Sequence, residues 1–259
     1  MIAEQPRIQF GDSIRRLIQT EMLGASTLRL GRRDVAYSCL DDDRSVYLVE
    51  HGQIKAVAPA RNGKECLFAI YTAGDVFGEQ CLIGGARMET AIAMAPTVLK
   101  RLSSTRLLAA LGDAGLRAEF VRFLTYRLAE QQRFITELIT ADGEYRLAAI
   151  LLYLARKLGK RDGHLLRIEG RITQEELSGM VGTTRSRVGY FLKRFCQAGL
   201  IARSGNCFLI VNEPRLYNFL MREPVLPQMG RHSVLRYRPT VSVDHDRLRQ
   251  PARMVSAAG

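Results

Sequence analysis

Between Asp113 and Thr140 the chain carries an apolar seam of Val121, Leu124, Leu128, Gln131, Ile135 and Leu138, whose members recur at alternating steps of three and four residues. That spacing is the seam of a coiled coil, and a single helix cannot bury it alone. A partner helix is required, so residues 113–141 are predicted to be the dimerisation helix of a homodimer. A second stripe, Phe120, Phe123, Arg127 and Phe134, points elsewhere and serves packing within the helix's own domain. Gln131 is the one polar member of the seam, where it either fixes register or meets a ligand bound beside the helix; the spacing leaves both open.

On either side of this helix the period changes. Residues 1–24 form a short N-terminal helical segment, with Ile14, Leu17, Ile18 and Met22 on one face behind a polar cap at Asp12 or Ser13. Residues 25–112 carry β-rich runs at 46–49, 54–58, 66–71, 90–94 and 97–102, with Asn62-Gly63 as the strongest hairpin signal. Closely spaced short strands imply a sandwich or barrel, followed by a helical turn through Arg106 to Leu111. Asp142-Gly143 breaks the helical pattern and marks the domain boundary and hinge. A helix from Glu144 to Leu158 then presents Leu147, Ile150, Leu151 and Leu154 on one face. The expected class is α+β: an N-terminal antiparallel β-sandwich or jelly roll, the long dimerisation helix, and a C-terminal winged helix-turn-helix at 142–222. The last stretch, 223–259, is rich in proline and arginine without periodicity and is expected to be a poorly ordered basic tail.

The segment Ile172 to Gln197 carries the functional expectation. Thr173 followed by Glu176 is a capping box that starts one helix, Gly182 ends it where a positive φ is easiest, and Thr183 or Thr184 caps the next. Leu177, Val181, Val188, Phe191, Leu192 and Phe195 form the apolar wedge between the two helices. This leaves Arg185, Ser186 and Tyr190 on the outer face, where they reach base edges if the second helix enters a major groove. Arg185 suits the O6 and N7 of guanine. Thr183, Thr184, Arg187, Lys193 and Arg194 suit phosphates, which fix register without reading sequence. Two strands, 200–203 and 207–211, joined by Ser204-Gly205-Asn206, supply a wing.

A net charge of +12 favours polyanionic partners. The five cysteines, Cys39, Cys66, Cys81, Cys196 and Cys207, never form a C-x-x-C pair, so no metal site is expected and buried free thiols are. No apolar run approaches the roughly 20 residues of a membrane span, and residues 1–10 lack the features of a secretory signal. The expected location is the cytoplasm. No P-loop, H-E-x-x-H or nucleophile elbow is present, so no enzymatic activity is expected.

Sandwich, long helix and winged helix together resemble the Crp/Fnr family of bacterial regulators over roughly residues 27–211. The most specific parts are Thr173 to Leu177, Val181 to Val188, and Gly74-Asp75-Val76-Phe77-Gly78-Glu79. The resemblance implies a sensor pocket in which Gly78 and Glu79 hold a cyclic nucleotide's phosphate and ribose. It places Thr90 in the phosphate clamp, and Gln131 and Gln132 of the long helix near the base. The clamp's arginine is replaced by Glu89, which sets a negative charge where the anion's counter-charge belongs. Cyclic AMP control is therefore not expected, and the effector stays unnamed. The partners expected are double-stranded DNA, a second copy of the chain and RNA polymerase. Two other readings remain at this point: a nucleotide-sensing regulatory subunit acting on a protein target, and a nonspecific nucleic-acid-binding protein driven by charge.

Overall fold

The computed structural model describes residues 5–59, 65–168, 172–204 and 207–221. The Asn62-Gly63 turn, the wing tip at Gly205-Asn206 and the 223–259 tail lie outside them. The observed class is the α+β arrangement expected.

Helix α1 (Gln5–Gln19) leads into β1 (Ser26–Leu30), β2 (Val35–Tyr37), β3 (Ser45–His51), β4 (Gln53–Pro59), β5 (Glu65–Thr72) and β6 (Val76–Phe77). A single 3-10 turn at Glu79–Ile83 separates β6 from β7 (Thr90–Ala93) and β8 (Thr97–Ser103). These strands form two antiparallel four-stranded sheets, ordered β1-β8-β3-β6 and β2-β7-β4-β5. Pro59 pairs with Glu65 at the end of the β4–β5 ladder.

Strand β3 reads as an unbroken apolar run because both its faces are covered. Tyr47 and Val49 point into the sandwich beside Ile54, Tyr71 and Phe77. Val46 and Leu48 point out, where Phe10 and Ile14 of α1, Leu107 of α2 (Ser104–Ala110), and Leu116, Phe120 and Phe123 of α3 (Ala114–Thr140) cover them. Removing a phenylalanine side chain such as Phe123 from water contributes about 1.5–3 kcal/mol. This contact holds the first half of α3 against the sandwich.

Three expectations are corrected here. Helix α1 begins at Gln5, so Asp12 and Ser13 are interior: Asp12 accepts from Arg15, and Ser13 accepts from Arg16. The face α1 buries is Phe10 and Ile14, whereas Met22 lies beyond the helix and is exposed. Phe134 is not part of the packed stripe, because α3 has by then run past the sandwich and leaves it 39% exposed.

The C-terminal part comprises α4 (Gly143–Leu158), β9 (Lys160–Asp162), β10 (Leu165–Ile168), α5 (Gln174–Val181), α6 (Arg185–Gln197), β11 (Ile201–Ser204), β12 (Cys207–Asn212) and α7 (Glu213–Met221). Its sheet runs β11-β12-β10-β9, so the wing hairpin is half of a four-stranded sheet. The core gathers Leu147, Leu151, Leu177, Val188, Leu192 and Phe195, and also takes in Val57, Leu67 and Ile70 from the outer face of the second sandwich sheet. Around this apolar contact Lys55 pairs with Glu176 at 2.6 Å, and Lys157 pairs with Asp75 at 3.3 Å. Helix α5 is thereby docked on the sandwich.

Candidate functional site

The helix-turn-helix is built by local chemistry. The Thr173 hydroxyl accepts from the Glu176 N–H at 3.1 Å, and Glu176 Oε2 accepts from the Thr173 N–H at 2.7 Å. This reciprocal pair satisfies two donors that the helix start leaves open. Burial raises the Glu176 carboxyl's pKa, but hydrogen bonds from Lys55 and Thr173 outweigh it and hold the group below its ordinary value. Gly182 ends α5 at φ 66°, ψ 46°, a left-handed conformation that glycine adopts without strain. Thr184 caps α6 by accepting from the Arg187 N–H at 3.3 Å. A Cβ on Gly189 would stand 3.3 Å from Gln174 Oε1, so the helices approach closely at that point.

This geometry leaves Arg185, Ser186 and Tyr190 exposed on α6, with the Ser186 and Thr184 hydroxyls 3.1 Å apart. Arg187 and Lys193 are exposed as well, Thr183 is half-buried beside the α6 N-terminus, and Thr184 is exposed. Arg194 differs, because its guanidinium is paired with Glu144 of α4 at 2.8 Å. Its charge is partly neutralised within the chain.

The start of the long helix is capped by Asp113, which accepts from the Leu116 N–H. Along α3, Val121, Leu124, Leu128, Ile135 and Leu138 are between 36% and 55% exposed, a continuous uncovered apolar seam. Its end is tied to the head by a residue the sequence reading passed over. Arg146 of α4 donates to the Ala141 carbonyl at 2.6 Å and to the Val181 carbonyl at 2.8 Å, closing the C-terminal ends of both α3 and α5.

Within the sandwich, the residues expected to form an effector pocket are engaged with one another. Gly78, at φ 81°, offers its carbonyl to Arg87 Nη1 at 2.6 Å. Glu79 pairs with Arg127 of α3 at 3.2 Å, and Arg127 also donates to the Tyr71 hydroxyl at 2.9 Å. The Tyr37 hydroxyl donates to Glu89 at 2.9 Å, and Thr90 Oγ1 accepts from the Cys39 N–H at 2.9 Å. Arg87, 4% exposed, stacks over the Tyr37 ring at 4.0 Å and is anchored by Asp43 at 2.6 Å and by the Ser45 carbonyl. The rings of Tyr37, Tyr47, Phe77 and Tyr71 fill the space between the sheets, with Tyr71 and Phe77 stacked 4.8 Å apart. Gln131 and Gln132 do not join this cluster; both are exposed on α3. Arg127, one turn earlier, is the helix residue that reaches Glu79. The signal for it was a lone cation on an otherwise apolar stripe, since a buried charge requires a partner.

The electrostatics agree with a closed cluster. Burial, reinforced by the neighbouring Glu79, raises the Glu89 carboxyl despite its Tyr37 hydrogen bond. Burial also raises the pKa of Asp43, but bonds from Arg87, Ser45, Tyr47 and Arg101 outweigh it and bring that pKa below its ordinary value. Glu89, held by Tyr37, stands where the resemblance places the phosphate clamp's arginine, so a carboxylate takes the position of the anion's counter-charge.

Among the described residues no three His, Cys, Asp or Glu side chains gather as a metal site, and no helix is long and apolar enough to cross a membrane. Cys39, Cys66, Cys81 and Cys196 are free thiols.

Residues 145–219 match the family described as the Crp-like helix-turn-helix domain, and residues 29–113 match the cyclic nucleotide-binding domain. The chain is 30% identical over 173 residues to the CRP-like cAMP-activated global transcriptional regulator of Mycobacterium tuberculosis strain H37Rv, covering 66% of this chain and 77% of that protein. It is 24% identical over 177 residues to the fumarate and nitrate reduction regulatory protein of Escherichia coli K12, covering 68% of this chain and 71% of that one. Its fold is similar to FixK2 from Bradyrhizobium japonicum, with a TM-score of 0.66 and 22% identity over 76% of this chain and 97% of that one. A CRP/FNR-family transcriptional regulator from Thermus thermophilus gives 0.63 and 24%, over 75% and 98%.

Proposed function

The chain belongs to the Crp/Fnr family of transcription regulators, with a helix-turn-helix DNA-binding domain and a cyclic-nucleotide-binding-like sensor domain, and from that premise we propose that it acts as a homodimer on a two-fold related DNA site. One observation carries this reading: the capping box, the left-handed Gly182 and the Thr184 cap present Arg185, Ser186 and Tyr190 together on the outer face of α6.

In this reading α6 enters the major groove. Arg185 gives two parallel hydrogen bonds to a guanine, while Ser186 and Tyr190 discriminate less sharply. Thr183, Thr184, Arg187 and Lys193 hold phosphates, aided by the partial positive charge of the α6 N-terminus. Arg194 contributes least to phosphate binding, because Glu144 already holds it. The seam of Val121, Leu124, Leu128, Gln131, Ile135 and Leu138 pairs two copies, and the boundary at Asp142-Gly143 lets each head take its place on a half-site. Half-sites would then lie about one helical turn, roughly 34–36 Å, apart. The dimer works in the cytoplasm, meeting RNA polymerase at promoters, and operator position decides whether it activates or represses.

Selection of bound duplexes from a random pool tests the proposal. The expected result is a two-fold sequence with a guanine in each half-site. Recovery of sequences no different from the starting pool would contradict it and favour charge-driven nonspecific binding.

A further inference from the structure

We propose that Glu144 determines the sequence selectivity of the head, by holding the Arg194 guanidinium away from DNA phosphates and beside the Tyr190 ring. The inference rests on the DNA-binding reading above and adds what limits the head's indiscriminate affinity.

Helix α6 carries four cations, Arg185, Arg187, Lys193 and Arg194. Among the described residues Arg194 alone of the four has a carboxylate partner: its Nη1 donates to Glu144 Oε2 at 2.8 Å. The two ends of this pair differ. Glu144 stands in the first turn of α4, just after the Asp142 cap, with 19% of its side chain exposed. The partial positive charge of a helix N-terminus favours a carboxylate there, so Glu144 is the fixed end. Arg194 is 51% exposed, and the cleft beside it, lined by Phe195, Arg215 and Phe219, leaves its stem room to turn.

The pair sits at the edge of the surface that meets the DNA backbone in the reading above. Gly143, next to Glu144, is close to the start of α6: a Cβ there would stand 3.5 Å from Phe191 Cε2 and 3.9 Å from Thr183 Oγ1. An arginine released at such a surface is free to neutralise a phosphate, and phosphate contacts supply affinity without sequence information. The same ion pair braces a base reader. Arg194 Cζ lies 5.9 Å from the centre of the Tyr190 ring, and the Phe191 ring lies 5.7 Å from it, inclined at 59°. A side chain already held in place loses less conformational freedom on binding. Glu144 is thus a positioning residue, removing a sequence-blind contact and steadying a sequence-reading one.

Anisotropy over a salt series, on the selected duplex and on random duplex of equal length, tests the proposal. Glu144→Gln keeps the shape and removes the charge. It should steepen the logarithmic salt dependence on random duplex by about one per protomer. It should also lower the ratio of selected to random affinity about twofold or more, the small end of coupling between residues in contact. Adding Arg194→Met to Glu144→Gln should return the slope to the native value, because the freed cation is gone. A native slope or a native ratio in Glu144→Gln, as a merely structural pair would give, overturns the inference. A slope that stays steep in the double variant also overturns it, since Glu144 would then repel phosphates by itself. Should Glu144→Gln fail to fold, Arg194→Met alone decides. A native slope on random duplex with a lowered ratio is expected; a slope shallower by about one per protomer, or a native ratio, would overturn the inference. Absence of any selected duplex would instead strike the sequence-reading role of α6, and the slopes on random duplex would still decide whether Glu144 withholds Arg194 from phosphates.

Discussion

Arg146 donates from Nε to the Val181 carbonyl oxygen at 2.8 Å, across 35 residues of sequence. The same guanidinium reaches the Ala141 carbonyl at 2.6 Å, so one side chain fastens the last turn of the dimerisation helix to the end of the first head helix. Helix C-termini leave carbonyls without intrahelical partners and carry partial negative charge, which is why a cation suits this junction.

Replacing Arg146 with methionine keeps the stem and removes those bonds. Hydrogen bonds to charged groups contribute about 1.5–3 kcal/mol each and do not add fully, so a loss of about 2–3 kcal/mol is expected. Urea unfolding should show a lower midpoint with little change in slope. An unchanged midpoint would mean that the junction is held by apolar packing alone.

Leu128 is 55% exposed on α3 and lies at the middle of the seam. Leu128→Glu would bring like charges together if two helices pair there, at no cost to the isolated chain. Sedimentation equilibrium should give a dimer for the native protein and a monomer for the variant. Equal masses for the two would remove the seam from the account.

Glu89 makes a pH-dependent prediction. Its carboxyl is raised, chiefly by burial, so between the ordinary carboxylate pKa and its folded value the native state binds more protons than the unfolded chain. Stability from this group is therefore present at low pH and falls as pH rises through that window. Glu89→Gln is neutral throughout and can still accept from Tyr37. Its melting temperature should exceed the native one near neutrality, with the difference closing on acidification. A constant offset, or one that grows in acid, would contradict the raised pKa.

The head was legible in the sequence because its signals are local. Thr173 with Glu176, Gly182 and Thr184 each act within four residues, and the structure has them as cap, left-handed turn and cap. Asp162-Gly163 is an equally local hairpin signal that was passed over; it turns β9 into β10, with Gly163 at φ 60°. Strands β1, β2 and β6 were missed for another reason: they are two to five residues long and are held by pairing with distant β8, β7 and β3. The sandwich cluster was the least legible. Arg127 lies far from Glu79 in sequence, and nothing local announces that a cation on an apolar stripe ends on that carboxylate. The glutamines placed near the base by resemblance are exposed on α3, one turn beyond Arg127.

The central claim, that α6 reads sequence through Arg185, is tested most directly by the free energy that Arg185→Ala removes from binding to the selected duplex and to one with the half-site guanines replaced. The account predicts a loss of about 1–3 kcal/mol per half-site on the first and little on the second, measured by anisotropy at one salt concentration. An equal small loss on both duplexes would make Arg185 a phosphate contact and contradict it.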